Sequence, residues 1–146
     1  MQDLNPRSST TMRKCLIIDD DQDDQEIFVM CVAKIDKNIE CTTMNNGVEA
    51  IAMLKSNGDY IPDYIFIDVN MPKMNGIDCL RLLKNMECLK YTKIYMYSTT
   101  SENSILADSR QIAADDFIIK PAKTAELYFT RDKLVDCFYQ RIGTSS

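Results

Sequence analysis

Polar residues that could bind a metal ion or a phosphate follow four short apolar runs of the sequence. They are Asp19-Asp20-Asp21, Asp68 with Asn70 two residues on, Ser98-Thr99-Thr100, and Lys120-Pro121. The set combines carboxylates, hydroxyls and an ammonium group, and the chain contains no histidine. The lack of histidine excludes Ser-His-Asp hydrolysis, Cys-His proteolysis and general-base catalysis by histidine.

The carboxylates predict a site for a hard cation. Acidic groups held close together repel one another unless a cation shares the site. Mg²⁺ suits a site made of one or two carboxylates, waters and a phosphate. Lys120 and Ser98 can then contact phosphoryl oxygens, and the Asp68 carboxylate can act as a nucleophile that forms an aspartyl-phosphate. The combination therefore predicts phosphoryl transfer to Asp68.

The apolar runs have the length and composition of buried strands. Four of them are rich in β-branched or aromatic residues, which is typical of a parallel sheet covered on both faces, and a fifth, less apolar run suits an edge strand. The four cover residues 15–18, 64–67, 94–97 and 117–119, and the edge strand covers 40–44.

Apolar residues at helical spacing follow each predicted strand. The predicted helical faces are Ile27, Phe28, Cys31, Val32 and Ile35; Val48, Ile51 and Ala52; Ile77, Leu80 and Leu83; Ile105, Leu106 and Ile112; and, in a last helix over about 124–139, Leu127, Leu134, Val135 and Phe138. Five β-α units with right-handed crossovers predict an α/β fold with an open, doubly wound parallel sheet. In such a sheet the functional site lies at the carboxyl ends of the strands, where the polar residues are found.

Composition narrows the class of protein further. A chain of 146 residues with a net charge of −5 is one ordinary domain and lacks the basic surface of a nucleic-acid-binding protein. We predict a domain over 13–142 between a polar tail at 1–12 and a shorter tail at 143–146. No apolar run is long enough for a membrane span or a signal peptide, and the six cysteines form no metal-binding pattern, so we expect a cytoplasmic protein with reduced thiols.

Three motifs together resemble the response-regulator receiver family. They read Ile-Ile-Asp-Asp-Asp at 17–21, Phe-Ile-Asp-Val-Asn-Met-Pro-Lys-Met-Asn-Gly at 66–76, and Ile-Ile-Lys-Pro at 118–121. The resemblance runs from about Lys14 to Tyr139. It implies a flavodoxin-like (βα)₅ fold with strand order 2-1-3-4-5 and a stand-alone receiver of two-component signalling.

The resemblance also implies roles for individual residues. Asp68 is the implied phosphoacceptor, and Mg²⁺ is held by Asp19, Asp20, Asp68 and the backbone carbonyl of Asn70. Lys120 contacts the phosphoryl group. Ser98 is the implied switch hydroxyl and Phe117 the switch aromatic, which, having no hydroxyl, must act sterically.

The implied partners are a sensor histidine kinase or a histidine phosphotransfer protein. A downstream protein target would bind a face made of the fourth helix, the fifth strand and the fifth helix. We expect neither nucleic acid nor membrane as a partner. We also expect no enzymatic activity beyond the chain's own phosphorylation and dephosphorylation.

Alternatives remain at several of these residues. Asp21, Asp23 and Asp24 are better interpreted as the N-cap and first-turn acids of a helix. A one-residue shift in register would replace Ser98 by Thr99 as the switch hydroxyl.

The residues present argue against two other functions. A phosphatase of the haloacid-dehalogenase type needs a second carboxylate two residues after its aspartate nucleophile, and this chain has Asn70 there. A flavodoxin-like carrier of a flavin would bind the flavin phosphate at the first strand-helix loop, where the acidic side chains of residues 19–24 would repel it. A pseudo-receiver that binds partners without being phosphorylated is the main alternative.

Overall fold

The computed structural model describes residues 12–69, 71, 73–98, 114–119 and 127–139, with only the backbone at 98, 117, 119 and 127–131. The strands are β1 (Arg13–Ile18), β2 (Ile39–Met44), β3 (Tyr64–Ile67), β4 (Lys93–Ser98) and β5 (Asp116–Ile119). The helices are α1 (Gln22–Ile35), α2 (Gly47–Ser56), α3 (Gly76–Lys84) and a C-terminal helix (Leu127–Phe138), with a 3₁₀ turn at Glu87–Leu89. The predicted fourth helix and both predicted tails, apart from Met12, lie outside the described residues.

The strands form one parallel sheet in the order β2-β1-β3-β4-β5. This confirms the predicted flavodoxin-like topology, with β2 at one edge. One continuous row of paired residues crosses the whole sheet near its carboxyl edge: Met44, Ile18, Ile67, Met96 and Phe117. The residue after each of these therefore lies at the same level of that edge.

The two faces of the sheet carry different side chains because strand residues alternate in direction. One face is aliphatic and packs against α2 and α3; its sheet residues are Leu16, Ile18, Ile65, Ile67, Ile94 and Met96. The other face packs against α1 and the C-terminal helix and is largely aromatic; its rings are Phe28, Tyr64, Phe66, Tyr95, Tyr97 and Phe138. We call these the aliphatic face and the aromatic face.

The helix starts follow the sequence closely. Asp21 is the N-cap of α1 and accepts a hydrogen bond from the backbone N–H of Asp24 at 3.1 Å. Asp23 and Asp24 lie in the first turn, where negative charge is stabilised by the helix dipole. The interpretation of these three acids as helix-start residues is confirmed. None of the helices in the described ranges is long and apolar enough to span a membrane.

The predicted buried face of α2 was right for Ile51 and wrong for Val48 and Ala52. Val48 is 46% exposed and Ala52 is exposed, whereas the buried positions are Gly47, Ala50, Ile51 and Leu54. These four are spaced as one helical stripe, and its first member is a glycine because a Cβ there would lie 3.1 Å from the Cys79 sulfur. Small residues in the stripe made it hard to recognise by hydrophobicity.

The last helix differs from its prediction in a smaller way. Val135 is only partly buried, and Cys137 joins Leu134 and Phe138 in the core. Leu127 is described by its backbone alone, and the predicted start of this helix, near residue 124, lies outside the described residues.

Candidate functional site

Three carboxylates meet at the carboxyl edge of the sheet. One oxygen from each of Asp19, Asp20 and Asp68 lies within 4.8 Å of the others. Asp19 is fully buried and Asp68 is 5% exposed, whereas Asp20 is open to solvent. Two buried acids beside one exposed acid form a pocket that is reached from one side.

The sheet ladder fixes the backbones of the two buried acids. The N–H of Asp19 donates to the carbonyl of Met44 at 3.0 Å, and the N–H of Asp68 donates to the carbonyl of Ile18 at 2.9 Å. Each bond continues the ladder one residue beyond a strand. The carboxylates are therefore held by backbone that moves little relative to the core.

Gln25 supports the turn that carries Asp19 and Asp20. Its side-chain amide is buried and donates to the carbonyl of Asp19 at 2.5 Å and to the side-chain oxygen of Asn45 at 3.0 Å. The Asp19 carboxylate in turn accepts a hydrogen bond from the N–H of Asp21 at 3.0 Å. The sequence analysis missed Gln25. The available signal was a polar residue on the stripe of α1 that contains Phe28 and Val32.

The loop after β3 returns very close to Asp68. The N–H of Gly76 donates to the carbonyl of Val69 at 2.8 Å, and a Cβ built on Gly76 would lie 2.3 Å from the Asp68 carbonyl oxygen. Only glycine fits this approach. Within the same loop Lys73 adopts φ 69°, a left-handed conformation that is uncommon outside glycine.

The backbone register brings the predicted switch residues to the same edge. Because Ile67 pairs with Met96, Asp68 is level with Tyr97, and Ser98 lies one residue further toward the edge, opposite Ile119. Phe117 pairs with Met96, one residue below the level of Asp68. The side chains of Ser98 and Phe117 are not described, and Asn70 and Lys120 lie outside the described residues.

Tyr97 underlies the acidic pocket from the aromatic face. Its ring packs on Phe28 and Phe66 at centroid distances of 5.2 and 6.4 Å. Burial raises the pKa of the Tyr97 phenol well above its ordinary value, and the charges of Asp19 and Asp68 are among the nearby groups that add to the effect. The phenol therefore stays neutral, and the pocket rests on a rigid aromatic layer.

The donor set fits a hard divalent cation. It is made of carboxylate oxygens from two turns at one sheet edge, without nitrogen or sulfur ligands, and only part of it is buried. Oxygen-only sites of this kind favour Mg²⁺ or Mn²⁺ over zinc or copper. A cation here would also relieve the repulsion among three carboxylates held this close.

Comparison with known proteins agrees with the fold. The family model for the response regulator receiver domain matches residues 15–130. The chain is 29% identical over 123 residues to the chemotaxis protein CheY-3 of Vibrio cholerae serotype O1, covering 84% of this chain and 92% of that protein. The chain therefore belongs to the response regulator receiver family and carries a CheY-like domain of two-component signalling.

Solved structures show the same architecture. The phosphorylated cyanobacterial phytochrome response regulator RcpA superposes with a TM-score of 0.80 at 23% identity, covering 88% of this chain and 95% of that one. The Mn²⁺-bound form of the response regulator Rcp1 superposes with a TM-score of 0.76 at 20% identity, covering 89% and 96%. At these identities the likeness shows the fold.

Proposed function

We propose that this chain is a phosphorylation switch in which Asp68 accepts a phosphoryl group with the help of Mg²⁺. The observation that carries the proposal is the meeting of Asp19, Asp20 and Asp68 within 4.8 Å at the carboxyl edge of the sheet. A site that only stabilised the fold would gain nothing from three like charges at this distance. The same charges are useful where a cation and a phosphoryl group must be bound together.

In the proposed reaction a carboxylate oxygen of Asp68 attacks phosphorus, and the phosphorus–nitrogen bond to a donor histidine breaks. The donor imidazole, protonated on its other ring nitrogen, takes the electron pair of the broken bond and leaves as neutral imidazole, and an acyl phosphate forms on Asp68. Asp19, Asp20, Asp68 and the backbone carbonyl of Asn70 would hold Mg²⁺, which neutralises charge on the phosphoryl oxygens. Lys120 and the Ser98 hydroxyl would contact the remaining phosphoryl oxygens.

The donor is proposed to be a sensor histidine kinase or a histidine phosphotransfer protein in the cytoplasm. Phosphorylation would draw Ser98 toward Asp68, and Phe117 would follow into the space that Ser98 leaves. A downstream protein would then bind the face that contains β5 and the C-terminal helix. This is a population shift biased by a local charge, and the chain catalyses only its own phosphorylation and dephosphorylation.

The test combines a phosphoryl mimic with a true phosphodonor. The 146-residue chain is titrated with beryllofluoride in the presence of Mg²⁺, and the titration is followed by two-dimensional NMR. A parallel sample is treated with acetyl phosphate, and its intact mass is measured by mass spectrometry. We expect amide shifts centred on residues 68, 98 and 117, and one added phosphoryl group. Both responses should be lost in Asp68→Asn.

The matched control is Asp59→Asn, which removes an exposed aspartate in the turn after α2 and should respond like the unmodified chain. Phosphorylation that persists in Asp68→Asn would overturn the assignment of the acceptor. If the unmodified chain shows neither amide shifts nor an added phosphoryl group with Mg²⁺ present, the result would favour a pseudo-receiver that binds partners without phosphorylation.

A further inference from the structure

Two cysteines face each other across the first two strands. Cys15 of β1 and Cys41 of β2 are direct partners in the parallel register, and both side chains belong to the aromatic face. Neighbouring strands lie about 4.8 Å apart. That spacing is inside the Cα–Cα range of about 4.4–6.8 Å that a disulfide bridges without moving the backbone.

The two thiols are in contact and differ in access. Paired positions on neighbouring strands and on the same face bring the two side chains next to each other, and each affects the pKa of the other. Cys15 is fully buried, whereas Cys41 is partly exposed on the edge strand. A small reagent can therefore reach Cys41 first, with Cys15 directly behind it.

We propose that Cys15 and Cys41 are a modification site, an oxidisable dithiol that closes to a disulfide when a peroxide or a low-molecular-weight disulfide reaches Cys41. The site lies at the amino half of β1 and β2, away from the carboxyl edge that holds the three acids. It therefore adds an input to the chain that is separate from phosphorylation.

The proposed chemistry is complete with a named oxidant. The thiolate of Cys41 attacks one oxygen of a hydroperoxide, the O–O bond breaks, and a sulfenic acid and an alcohol or water result. The Cys15 sulfur then attacks the sulfenic sulfur, the S–O bond breaks, and water leaves as its thiol proton is transferred. Two thiols are oxidised and one peroxide is reduced.

A disulfide oxidant follows the same order. The Cys41 thiolate attacks one sulfur of the small disulfide, whose S–S bond breaks to release one small thiol and leave a mixed disulfide on Cys41. Cys15 then attacks the Cys41 sulfur and displaces the second small thiol. The hydrogen bond from Cys15 lowers the pKa of the Cys41 thiol, and burial raises that of Cys15. These directions agree with Cys41 as the attacking thiol and Cys15 as the resolving one.

The remaining cysteines provide internal controls. Cys88 is exposed in the 3₁₀ turn, Cys79 is buried in α3 on the aliphatic face, and Cys31 is buried in α1 on the aromatic face. Cys137 is buried on the same face as Cys15 and contributes to its electrostatic surroundings. Cys137 is therefore the competing partner that a test has to distinguish from Cys41.

The experiment uses the full chain as Cys88→Ser, which removes the exposed thiol, and compares it with Cys41→Ser/Cys88→Ser. Each is incubated with hydrogen peroxide, or with glutathione disulfide, and then alkylated, digested without reduction and analysed by mass spectrometry. We expect Cys88→Ser to lose two hydrogens and to give one cross-linked peptide pair, Cys15 with Cys41. Reduction should restore the thiols.

In Cys41→Ser/Cys88→Ser no cross-link should form, because Cys15 is left without its partner. A Cys15–Cys137 cross-link, stable sulfinic acid on Cys41, or a lasting glutathione adduct without closure would each overturn the proposal. Asp68→Asn should retain the full disulfide yield. Loss of phosphorylation and loss of the disulfide can therefore be told apart.

Discussion

At Gly76 the absence of a side chain determines where the proposed phosphoacceptor lies. A Cβ at this position would meet the Asp68 carbonyl oxygen at 2.3 Å and the Val69 Cα at 2.7 Å. Both are backbone atoms, so no side-chain rotation can relieve the contact. We expect Gly76→Ala to push the Asp68 backbone away from its hydrogen bond to Ile18.

The expected cost of Gly76→Ala is about 1–3 kcal/mol of unfolding free energy, the range for overpacking a well-packed site. Urea denaturation measures it, and beryllofluoride affinity in the presence of Mg²⁺ should fall as well. Gly58→Ala is the control, since a Cβ there meets nothing within 4 Å. Equal stability of the two variants would contradict the close approach.

Residue types were the most predictable part of the site. The sequence alone placed Asp19, Asp20 and Asp68 at one edge, because each follows a buried strand, and the structure brings these three together. It did not identify Gln25, whose role depends on a tertiary contact with Asn45 of the next β-α turn. A contact of that kind leaves no local pattern in a sequence.

At the scale of elements, a polar cluster at the amino edge of the sheet joins β1, α1 and the C-terminal helix. Arg13 donates to the Tyr64 hydroxyl and the Phe138 carbonyl, both at 2.7 Å, and to the Asp36 carboxylate at 3.0 Å. The Tyr139 hydroxyl donates to the same carboxylate at 2.6 Å. The end of the C-terminal helix is thus fixed to the start of β1.

This cluster predicts a pH dependence. The hydrogen bond from Tyr139 is the main cause that lowers the pKa of Asp36, helped by the N–H of Asn38 and by Arg13. Because the pKa of Asp36 is lower in the folded state, its charged form stabilises the fold at a pH above the pKa of the unfolded state, about 3.9. This contribution is lost as the pH falls through the lower pKa of the folded state. The stabilisation is therefore present at neutral pH, begins to fall below about pH 4, and is lost as the pH passes the lower folded pKa of Asp36.

We expect Tyr139→Phe to lower the unfolding free energy by on the order of 1 kcal/mol at pH 7, a typical net value for a hydrogen bond. The difference from the unmodified chain should shrink as the pH falls through the lowered pKa of Asp36, because the carboxyl becomes protonated in both. Urea denaturation at pH 7 and pH 3 measures this, with NMR titration of the Asp36 carboxyl. Tyr91→Phe, which alters a tyrosine that is 85% exposed, should show no such change.

Elements were predictable where hydrophobicity was strong. The starts of all five strands were predicted to within two residues. Four of the strands are dense apolar runs, and the fifth, β2, is the less apolar edge strand that pairs with β1. The buried face of α2 was predicted only at Ile51, because Gly47 and Ala50 carry little hydrophobic signal although they pack tightly. Their burial depends on how close the helix comes to α3, and that distance is set by the whole fold.

At the scale of the whole molecule, the acidic pocket should make stability depend on Mg²⁺. A cation that binds only the folded state adds about 2.7 kcal/mol at a concentration a hundred times its dissociation constant. Without Mg²⁺ the three carboxylates repel one another, so Asp20→Asn should stabilise the chain slightly. With saturating Mg²⁺ the same variant should be less stable than the unmodified chain because it loses a ligand.

Thermal denaturation with and without MgCl₂, at matched ionic strength, tests this reversal of sign. Asp23→Asn is the control, because it removes an exposed acid from the first turn of α1. It should lose a little stability in both conditions, since negative charge there is favoured by the helix dipole. If Asp20→Asn behaves in the same way, the pocket does not bind the cation through Asp20.

Because the aromatic rings lie mainly on one face of the sheet, the two faces contribute unequally to near-ultraviolet circular dichroism and tyrosine emission. Every fully described ring buried in the core lies on the aromatic face, and the chain has no tryptophan. Near-ultraviolet circular dichroism and tyrosine emission will therefore report chiefly on α1 and the C-terminal helix. On the α2 and α3 side the described ring packed against the core is the partly buried Tyr60, so methyl resonances of the isoleucines and leucines are the better probe for that side.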